Sequence, residues 1–135
     1  MIRRNYDCQS SWVIYVVTCL ACQVQYTGQT RQTMVARHYG HRSEVKNGLD
    51  GLGRHFREKH GVGLDLSKKE DLVRCMEHFH LQVIASVRAP ATPEQEQDCL
   101  SRLDRLEADM QHRLRCMSES GGMNVKDANK RRRRQ

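Results

Sequence analysis

The chain has 135 residues, a formal net charge of +7 and a pI near 9.3, which fits one domain with short tails. A mean hydropathy of −0.77, with no long apolar run, excludes a transmembrane helix. The excess of cations favours a polyanionic partner over a membrane. The N-terminus carries no apolar stretch that would serve as a secretory signal, so we expect the six cysteines to be in a reducing compartment.

The first half of the chain predicts a β-hairpin followed by two helices. β-Branched and aromatic residues favour strands, a brief connection favours a hairpin, and Thr, Asn and Gly mark helix ends. The predicted elements are a polar irregular segment at 1–11, strands at 12–18 and 23–28 joined by a turn at 19–22, a helix from Thr30 or Thr33 to about Val45, ended by Asn47 and Gly48, and a short helix at 51–59.

The second half predicts a loop at 61–70, a strand at 78–87 and a long helix at 93–117. The strand has apolar side chains at every second position, as expected for a half-buried strand. The helix carries an apolar stripe that we expect to pack on the sheet. The stripe consists of Leu100, Leu103, Leu106, Met110 and Leu114. Together these elements predict an α/β (α+β) sandwich with a three-stranded antiparallel or mixed sheet at 12–124, followed by a disordered basic tail at 125–135.

Two tyrosines on neighbouring predicted strands begin an ordered series of motifs. Tyr15 ends a Val-Ile-Tyr segment, and Tyr26 begins Tyr-Thr-Gly-Gln-Thr. Arg37 and His41 follow four residues apart, so they share one face of the first helix. The series ends with two further polar residues, Glu107 in Arg-Leu-Glu and Asn124 in Gly-Met-Asn.

This series resembles the GIY-YIG endonuclease domains, and the similarity extends from Trp12 to Asn124. Val13 stands where the family has the glycine of its first motif, and Thr27 replaces the isoleucine of the second. The resemblance implies a metal-dependent endonuclease that nicks or cleaves DNA.

By resemblance, Tyr15 or Tyr26 would accept a proton from the attacking water or orient that water. Arg37 would stabilise charge on the phosphoryl oxygens with its planar set of donors. Glu107 would bind the catalytic Mg²⁺ or Mn²⁺, which neutralises the leaving oxygen.

The two remaining motif residues, His41 and Asn124, would hold reacting groups in place through hydrogen bonds. Residues 110–111 are Met-Gln, whereas related retroelement sequences tend to have Trp-Ile at this place. This departure leaves Glu96 and Glu94 open as alternative metal ligands.

A second set of residues has the ligand types of a tetrahedral Zn²⁺ site. Cys19 and Cys22 form a Cys-x-x-Cys pair in the predicted hairpin turn, and His55 and His60 belong to the second helix and its end. The set resembles the Cys-Cys-His-His insertion in the GIY-YIG domains of Penelope-like retroelements. It implies a structural zinc that pins the hairpin turn to the short helix.

Other side chains remain open as zinc ligands. Cys8 could replace one ligand, and His78 and His80 on the third strand are further candidates. The remaining cysteines suit positions for small buried hydrophobic side chains, and they are Cys75, Cys99 and Cys116.

Basic side chains outside these motifs are candidate DNA contacts. They are Arg31, Arg42, Lys46 and Arg54 within the domain and Lys130, Arg131 and Arg132 in the tail. The cationic run in the tail is also typical of a nuclear-import signal, so we expect an intracellular, nuclear protein. A retroelement origin would make a reverse transcriptase, in the same protein or separate, the natural partner. A monomer with one active site would suit nicking.

Two other functions compete with the nuclease. A zinc-stabilised basic domain could bind DNA without cutting it. Alternatively, the apolar stripe of the long helix could bind another protein.

Overall fold

The structure, a computed structural model, describes residues 6–114 and 122–124. The strands are β1 (Val13–Cys19), β2 (Val24–Thr30) and β3 (Phe79–Ser86), and the helices are α1 (Met34–Asn47), α2 (Asp50–His60), α3 (Lys69–Cys75) and α4 (Glu96–Arg113). The sheet is antiparallel throughout, in the order β2-β1-β3. This architecture confirms the predicted α+β class. Within these residues, no helix has the length and apolar character needed to cross a membrane.

Strand β1 lies at the centre of the sheet and is the most deeply buried strand. It pairs with β2 from Val13 opposite Thr30 to Cys19 opposite Val24, which confirms the predicted hairpin. Because side chains alternate between the two faces of a strand, the odd-numbered residues of β1 share one face. That face forms the main core with buried side chains of α1, α2 and α3.

Helix α1 begins at a threonine cap and ends at a left-handed glycine. The Thr33 side chain accepts a hydrogen bond from the backbone of Ala36, so Thr33 rather than Thr30 is the cap. Backbone carbonyls of Cys8 and Ser10 accept the amides of the first two helical residues. The predicted irregular segment, as far as it is described, therefore anchors the start of α1. At the other end, Gly48 has a φ of 63°, as the predicted helix stop requires.

Helix α3 was not predicted from the sequence. The predicted loop at 61–70 extends only to Lys68, after which seven residues are helical. Leu72 and Cys75 are buried on one side of this short helix. A helix of two turns is too short to show a clear apolar period, so its burial had to come from tertiary packing.

Helix α4 turns a different face to the protein from the one that the leucine stripe predicted. It begins at Glu96, after a 3-10 turn at Pro93–Gln95, and its predicted last residues lie outside the described part of the chain. The buried positions of the helix are Cys99, Leu103, Glu107, Ala108 and Gln111. Of the predicted stripe only Leu103 is buried, and the other four members are half-buried. The helix packs on β1 and β2, as predicted, but polar Glu107 and Gln111 occupy positions that face the interior, so hydrophobicity alone misplaced the buried face.

Residues 122–124 lie along the outer edge of β2. The backbone amide of Met123 donates to the carbonyl of Gln25 at 2.9 Å, and the Asn124 side chain pairs with Thr27. This segment supplies hydrogen-bond partners for an edge that would otherwise be open. It also brings the last predicted motif next to the strand that carries Tyr26.

Candidate functional site

The two motif tyrosines meet over a glycine. Tyr15 on β1 lies directly opposite Gly28 on β2, and the ring centroids of Tyr15 and Tyr26 are 6.4 Å apart. A Cβ atom on Gly28 would lie 2.5 Å from both Cζ and the hydroxyl oxygen of Tyr15 and 2.9 Å from Cε1 of Tyr26. The glycine of the Tyr-Thr-Gly motif is therefore needed because both phenol rings occupy the space of its missing side chain.

Alanine at Gly28 is therefore expected to destabilise the fold by about 1–3 kcal/mol, since it overpacks two buried rings. Chemical denaturation of wild type and Gly28→Ala measures the difference. Gly40→Ala is the control, because among the described residues, apart from its chain neighbours and the backbone of its own helix, a Cβ there would meet only the flexible end of Arg37. Unchanged stability of Gly28→Ala would contradict the described packing of the tyrosines.

Arg37 connects Tyr15 to a carboxylate that the sequence reasoning missed. Its Nε donates to the Tyr15 hydroxyl oxygen at 3.0 Å, and its Nη2 donates to Oε1 of Glu44 at 2.8 Å. The side chains of Arg37 and Glu44 are 23% and 18% exposed, so the ion pair is partly screened from water. Glu44 lies seven residues after Arg37, two helical turns along the same face, and this spacing could have identified it.

His41 is fully buried beside both tyrosines. Its ring stands edge-on to them, with centroid distances of 5.2 Å to Tyr15 and 6.1 Å to Tyr26. Its Nδ1 lies 2.9 Å from Oε2 of Glu44. Burial lowers the pKa of His41 below its usual value, so the imidazole is neutral at neutral pH.

Both tyrosines are neutral hydroxyls in this environment. Burial raises the pKa of Tyr15 well above its usual value, and the nearby Arg37 lowers it by less. Burial also raises the pKa of Tyr26 well above the usual range, with further increases from Tyr15 and Asp50. A phenolate, the form in which a tyrosine would accept a proton from the attacking water, is thus disfavoured, and hydrogen bonding through the hydroxyls is favoured.

Asp50 is a second carboxylate that the sequence did not reveal. The Tyr26 hydroxyl donates to its Oδ2 at 3.3 Å. Asp50 has a φ of 60°, a left-handed conformation that is uncommon for residues other than glycine. The sequence offers no signal for this contact, because it depends on the tight connection between α1 and α2.

Glu107, the predicted Mg²⁺ ligand, is buried on α4 with 2% of its surface exposed. Burial is the largest cause of the raised pKa of both tyrosines, and the charge of Glu107 is a smaller cause. Glu107 is therefore close enough to interact electrostatically with both rings. The alternative ligands lie elsewhere on the surface. Glu94 is exposed, and Glu96 forms an ion pair with Arg31 at 3.0 Å. Of the three acidic candidates, Glu107 is therefore the one placed with the tyrosines.

Asn124 acts on the backbone next to the tyrosine pair. Its Oδ1 accepts the Thr27 amide at 2.7 Å, and its Nδ2 donates to the Thr27 carbonyl at 2.8 Å. Both groups are buried, so the pair holds the strand between Tyr26 and Gly28 in place. The observed partner of Asn124 is thus the protein backbone, and its expected role of holding reacting groups in place stays a prediction.

The four predicted zinc ligands come together at the other end of the hairpin. The ligand atoms of Cys19, Cys22, His55 and His60 all lie within 4.8 Å of one another. Cys19 ends β1, Cys22 lies in the turn, and both histidines belong to α2. Nε2 of His60 is 3.2 Å from Sγ of Cys19 and 3.6 Å from Sγ of Cys22.

This cluster could hold a metal ion such as zinc. Tetrahedral zinc, with bonds of about 2.3 Å to sulfur and about 2.0 Å to nitrogen, holds its ligand atoms roughly 3.5 Å apart. The two short separations around His60 match that value. Nε2 of His55 is buried without a hydrogen-bond partner among the described residues, which a metal bond would explain. Burial, the largest cause, lowers the pKa of both histidines, and neutral imidazole is the form that binds metals.

The alternative zinc ligands do not join the cluster. Cys8 is exposed near the start of α1, and His80 is exposed on β3. His78 lies next to His60, with ring centroids 5.7 Å apart, but the group of four forms without it. Cys75 and Cys99 are buried, as predicted, whereas Cys116 lies outside the described residues.

The predicted DNA contacts of the folded part lie on several elements. Arg31 follows β2 and forms an ion pair with Glu96. Cζ of Arg42, on α1, lies 5.9 Å from the centroid of the exposed Tyr39 ring. Lys46 and Arg54 are exposed on α1 and α2. The tail residues predicted to contact DNA lie outside the described residues, and they are Lys130, Arg131 and Arg132.

No protein-family model, curated protein or solved structure matches this chain.

Proposed function

We propose that this chain is a Mg²⁺-dependent DNA endonuclease of the GIY-YIG type with a structural zinc site. The observation that carries the proposal is the convergence of Tyr15, Tyr26, Arg37, His41 and Glu107, which come from β1, β2, α1 and α4. The residues are up to 92 positions apart in the sequence (107 − 15), yet they are the residues that the family resemblance selects.

The chemistry of these groups suits phosphodiester hydrolysis. Arg37 offers planar donors for the phosphoryl oxygens and is held half-buried, where its charge is less screened. The neutral tyrosine hydroxyls can orient an attacking water. Glu107 is the carboxylate that would hold Mg²⁺, a cation that prefers oxygen ligands and keeps several waters. When bound, such an ion would stabilise charge on the leaving oxygen.

The zinc cluster would serve the fold in this proposal. All four ligand positions are filled by side chains of the chain, whereas a catalytic zinc keeps an open position for water. The metal would link the end of β1 and the hairpin turn to α2. Because α2 also supplies Asp50 next to Tyr26, this link would indirectly stabilise the tyrosine site.

The net charge of +7 suits DNA as the substrate. The half-buried Arg42 and the exposed Lys46 and Arg54 are the proposed contacts on the folded part. We further propose a nuclear protein that works with a reverse transcriptase, which would extend the 3′ hydroxyl exposed by cleavage. The cationic tail would add non-specific affinity.

A DNA-binding module without nuclease activity is the second candidate. It is favoured by the engagement of Arg37 with both Tyr15 and Glu44, and by the 2% exposure of Glu107. In this arrangement, the Arg37 donors already have partners within the protein, and the Glu107 carboxylate has little surface open to a metal ion.

Nicking of supercoiled plasmid tests the proposal and separates the two candidates. We expect wild-type protein to nick when Mg²⁺ is supplied and not when it is omitted, at constant zinc, since a chelator would remove both metals. Arg37→Lys is expected to lower the rate by about 100-fold or more, because it keeps the charge but loses the planar donors. Arg113→Lys, at a side chain that is 71% exposed, is the matched control.

Gel retardation of the same plasmid measures binding independently. Protein that retards the plasmid but never nicks it, under any divalent cation, would reject the nuclease and support the binding module. Protein that neither nicks nor binds at low salt would reject both.

A further inference from the structure

The carboxylate of Glu44 has two partners on its own helix. Oε1 accepts Nη2 of Arg37 at 2.8 Å, and Oε2 faces Nδ1 of His41 at 2.9 Å. Arg37, His41 and Glu44 are spaced by four and three residues, so α1 presents them in one row. One side chain therefore holds both of the α1 residues that border the tyrosine pair.

The contacts around Glu44 determine where the proton of His41 resides. Burial raises the pKa of Glu44, but its hydrogen bonds and charges with His41 and Arg37 outweigh burial and lower it. An ionised carboxylate only accepts hydrogen bonds, so Nδ1 of His41 must donate. A neutral imidazole carries one N–H, which leaves the lone pair on Nε2.

Nε2 of His41 lies in an unusual position for a polar atom. The residue has no exposed surface, and Nε2 has no hydrogen-bond partner within the part of the chain that the structure describes. The centroids of the Tyr15, Tyr26 and Phe79 rings lie 5.2, 6.1 and 5.8 Å from the centroid of the His41 ring. A buried acceptor without a donor is costly, so its presence in a side chain that packs against both tyrosine rings calls for a function.

We propose that Glu44 is a positioning residue. One of its carboxylate oxygens holds Arg37, and the other fixes His41 as the Nδ1–H tautomer. Nε2 of His41 therefore remains a proton acceptor beside the two tyrosines. If Nε2 of His41 carried the proton instead, it would be a donor, like the two neutral tyrosine hydroxyls. A bare Nε2 instead gives the site the acceptor that proton transfer requires. The tautomer follows from the contact with Glu44 and the charge states of the two groups, whereas its use in DNA cleavage rests on the proposed function.

Nitrogen NMR of histidine-labelled protein tests the tautomer without any activity. We expect the wild-type His41 signals, assigned by their loss in His41→Gln, to show Nδ1–H and a bare Nε2 at neutral pH. Glu44→Ala should lose this preference, and Glu44→Asp should retain part of it. Glu58→Ala, at an exposed acid on α2, is the matched control. Nε2–H in the wild type, or an unchanged tautomer in Glu44→Ala, would overturn the inference.

Plasmid nicking tests the catalytic part of the proposal, that the contacts of Glu44 support DNA cleavage. Glu44→Gln offers a single acceptor oxygen and cannot satisfy both partners, so turnover should fall by on the order of 10–100-fold with unchanged plasmid retardation. Equal turnover in wild type and Glu44→Gln would overturn the catalytic part. If wild type does not nick at all, the proposed function fails, and the wild-type tautomer still decides whether Glu44 positions His41.

Discussion

Serine in place of Cys19 is expected to release the metal and to abolish the cooperative unfolding transition of the domain. Cys19 is fully buried at the end of β1, and its Sγ lies 3.2 Å from Nε2 of His60. Structural zinc contributes on the order of 10 kcal/mol in small zinc domains, which is comparable with the total stability of an average domain. Because a serine hydroxyl does not replace a thiolate as a zinc ligand, most of that contribution would be lost.

Zinc content per chain and thermal unfolding followed by circular dichroism measure the two effects. Cys8→Ser is the matched control, because Cys8 is exposed and outside the cluster. Cys22→Ser separates metal loss from core packing, since Cys22 is an exposed ligand whose side chain adds little to the core. Wild type that folds cooperatively without zinc, or Cys19→Ser with wild-type zinc content and melting, would contradict a structural zinc site.

Glutamine in place of Glu107 is expected to reduce nicking by about 100- to 1000-fold while the fold and plasmid binding persist. Loss of one preorganised charge-stabilising group has effects of about this size in other enzymes. Glutamine has nearly the same shape, so the buried position stays filled, but a neutral amide is a poor ligand for Mg²⁺. The expected defect therefore lies in turnover rather than in retardation of the plasmid.

Two variants on the same helix sharpen this test. Asp109→Asn, two residues away and 63% exposed, should nick like wild type. Glu96→Gln should also remain active, because Glu96 is engaged with Arg31 at the surface. Activity that survives Glu107→Gln but disappears in Glu96→Gln would transfer the metal-ligand role to Glu96 and refute the assignment of Glu107.

Local sequence patterns predicted the elements that depend on nearby residues. The hairpin followed from two β-branched segments with a short connection, and the end of α1 followed from Asn47 and Gly48. The start of α1 was narrowed to Thr30 or Thr33, and the structure selects Thr33. The cluster of Cys19, Cys22, His55 and His60 was also predicted as a set of four, with Cys8, His78 and His80 left open as alternatives. Each pair of ligands is close in sequence, and thiolates with imidazoles have few other reasons to recur at such spacings.

Patterns failed where burial depended on distant partners. The leucine stripe of α4 misplaced its buried face, because Glu107 and Gln111 are buried without being apolar. Helix α3 was missed, since its two turns are stabilised by contacts with the core and not by a visible period. The roles of Glu44 and Asp50 were missed because carboxylates on surface helices are common, and only the partners distinguish these two.

The sequence by itself determined the α+β class, the hairpin and a set of four Cys and His residues that could hold a metal ion, because these are encoded by residue types at short spacings. The roles of the tyrosine-site residues came from the family resemblance and remain predictions. The tertiary structure decided which of those residues meet and in which state of protonation. The pairing of Tyr15 with Gly28, the burial that keeps both tyrosines neutral, and the two contacts of Glu44 all arise from elements far apart in the chain. Burial and electrostatic surroundings are properties of the packed protein, so no local pattern contains them.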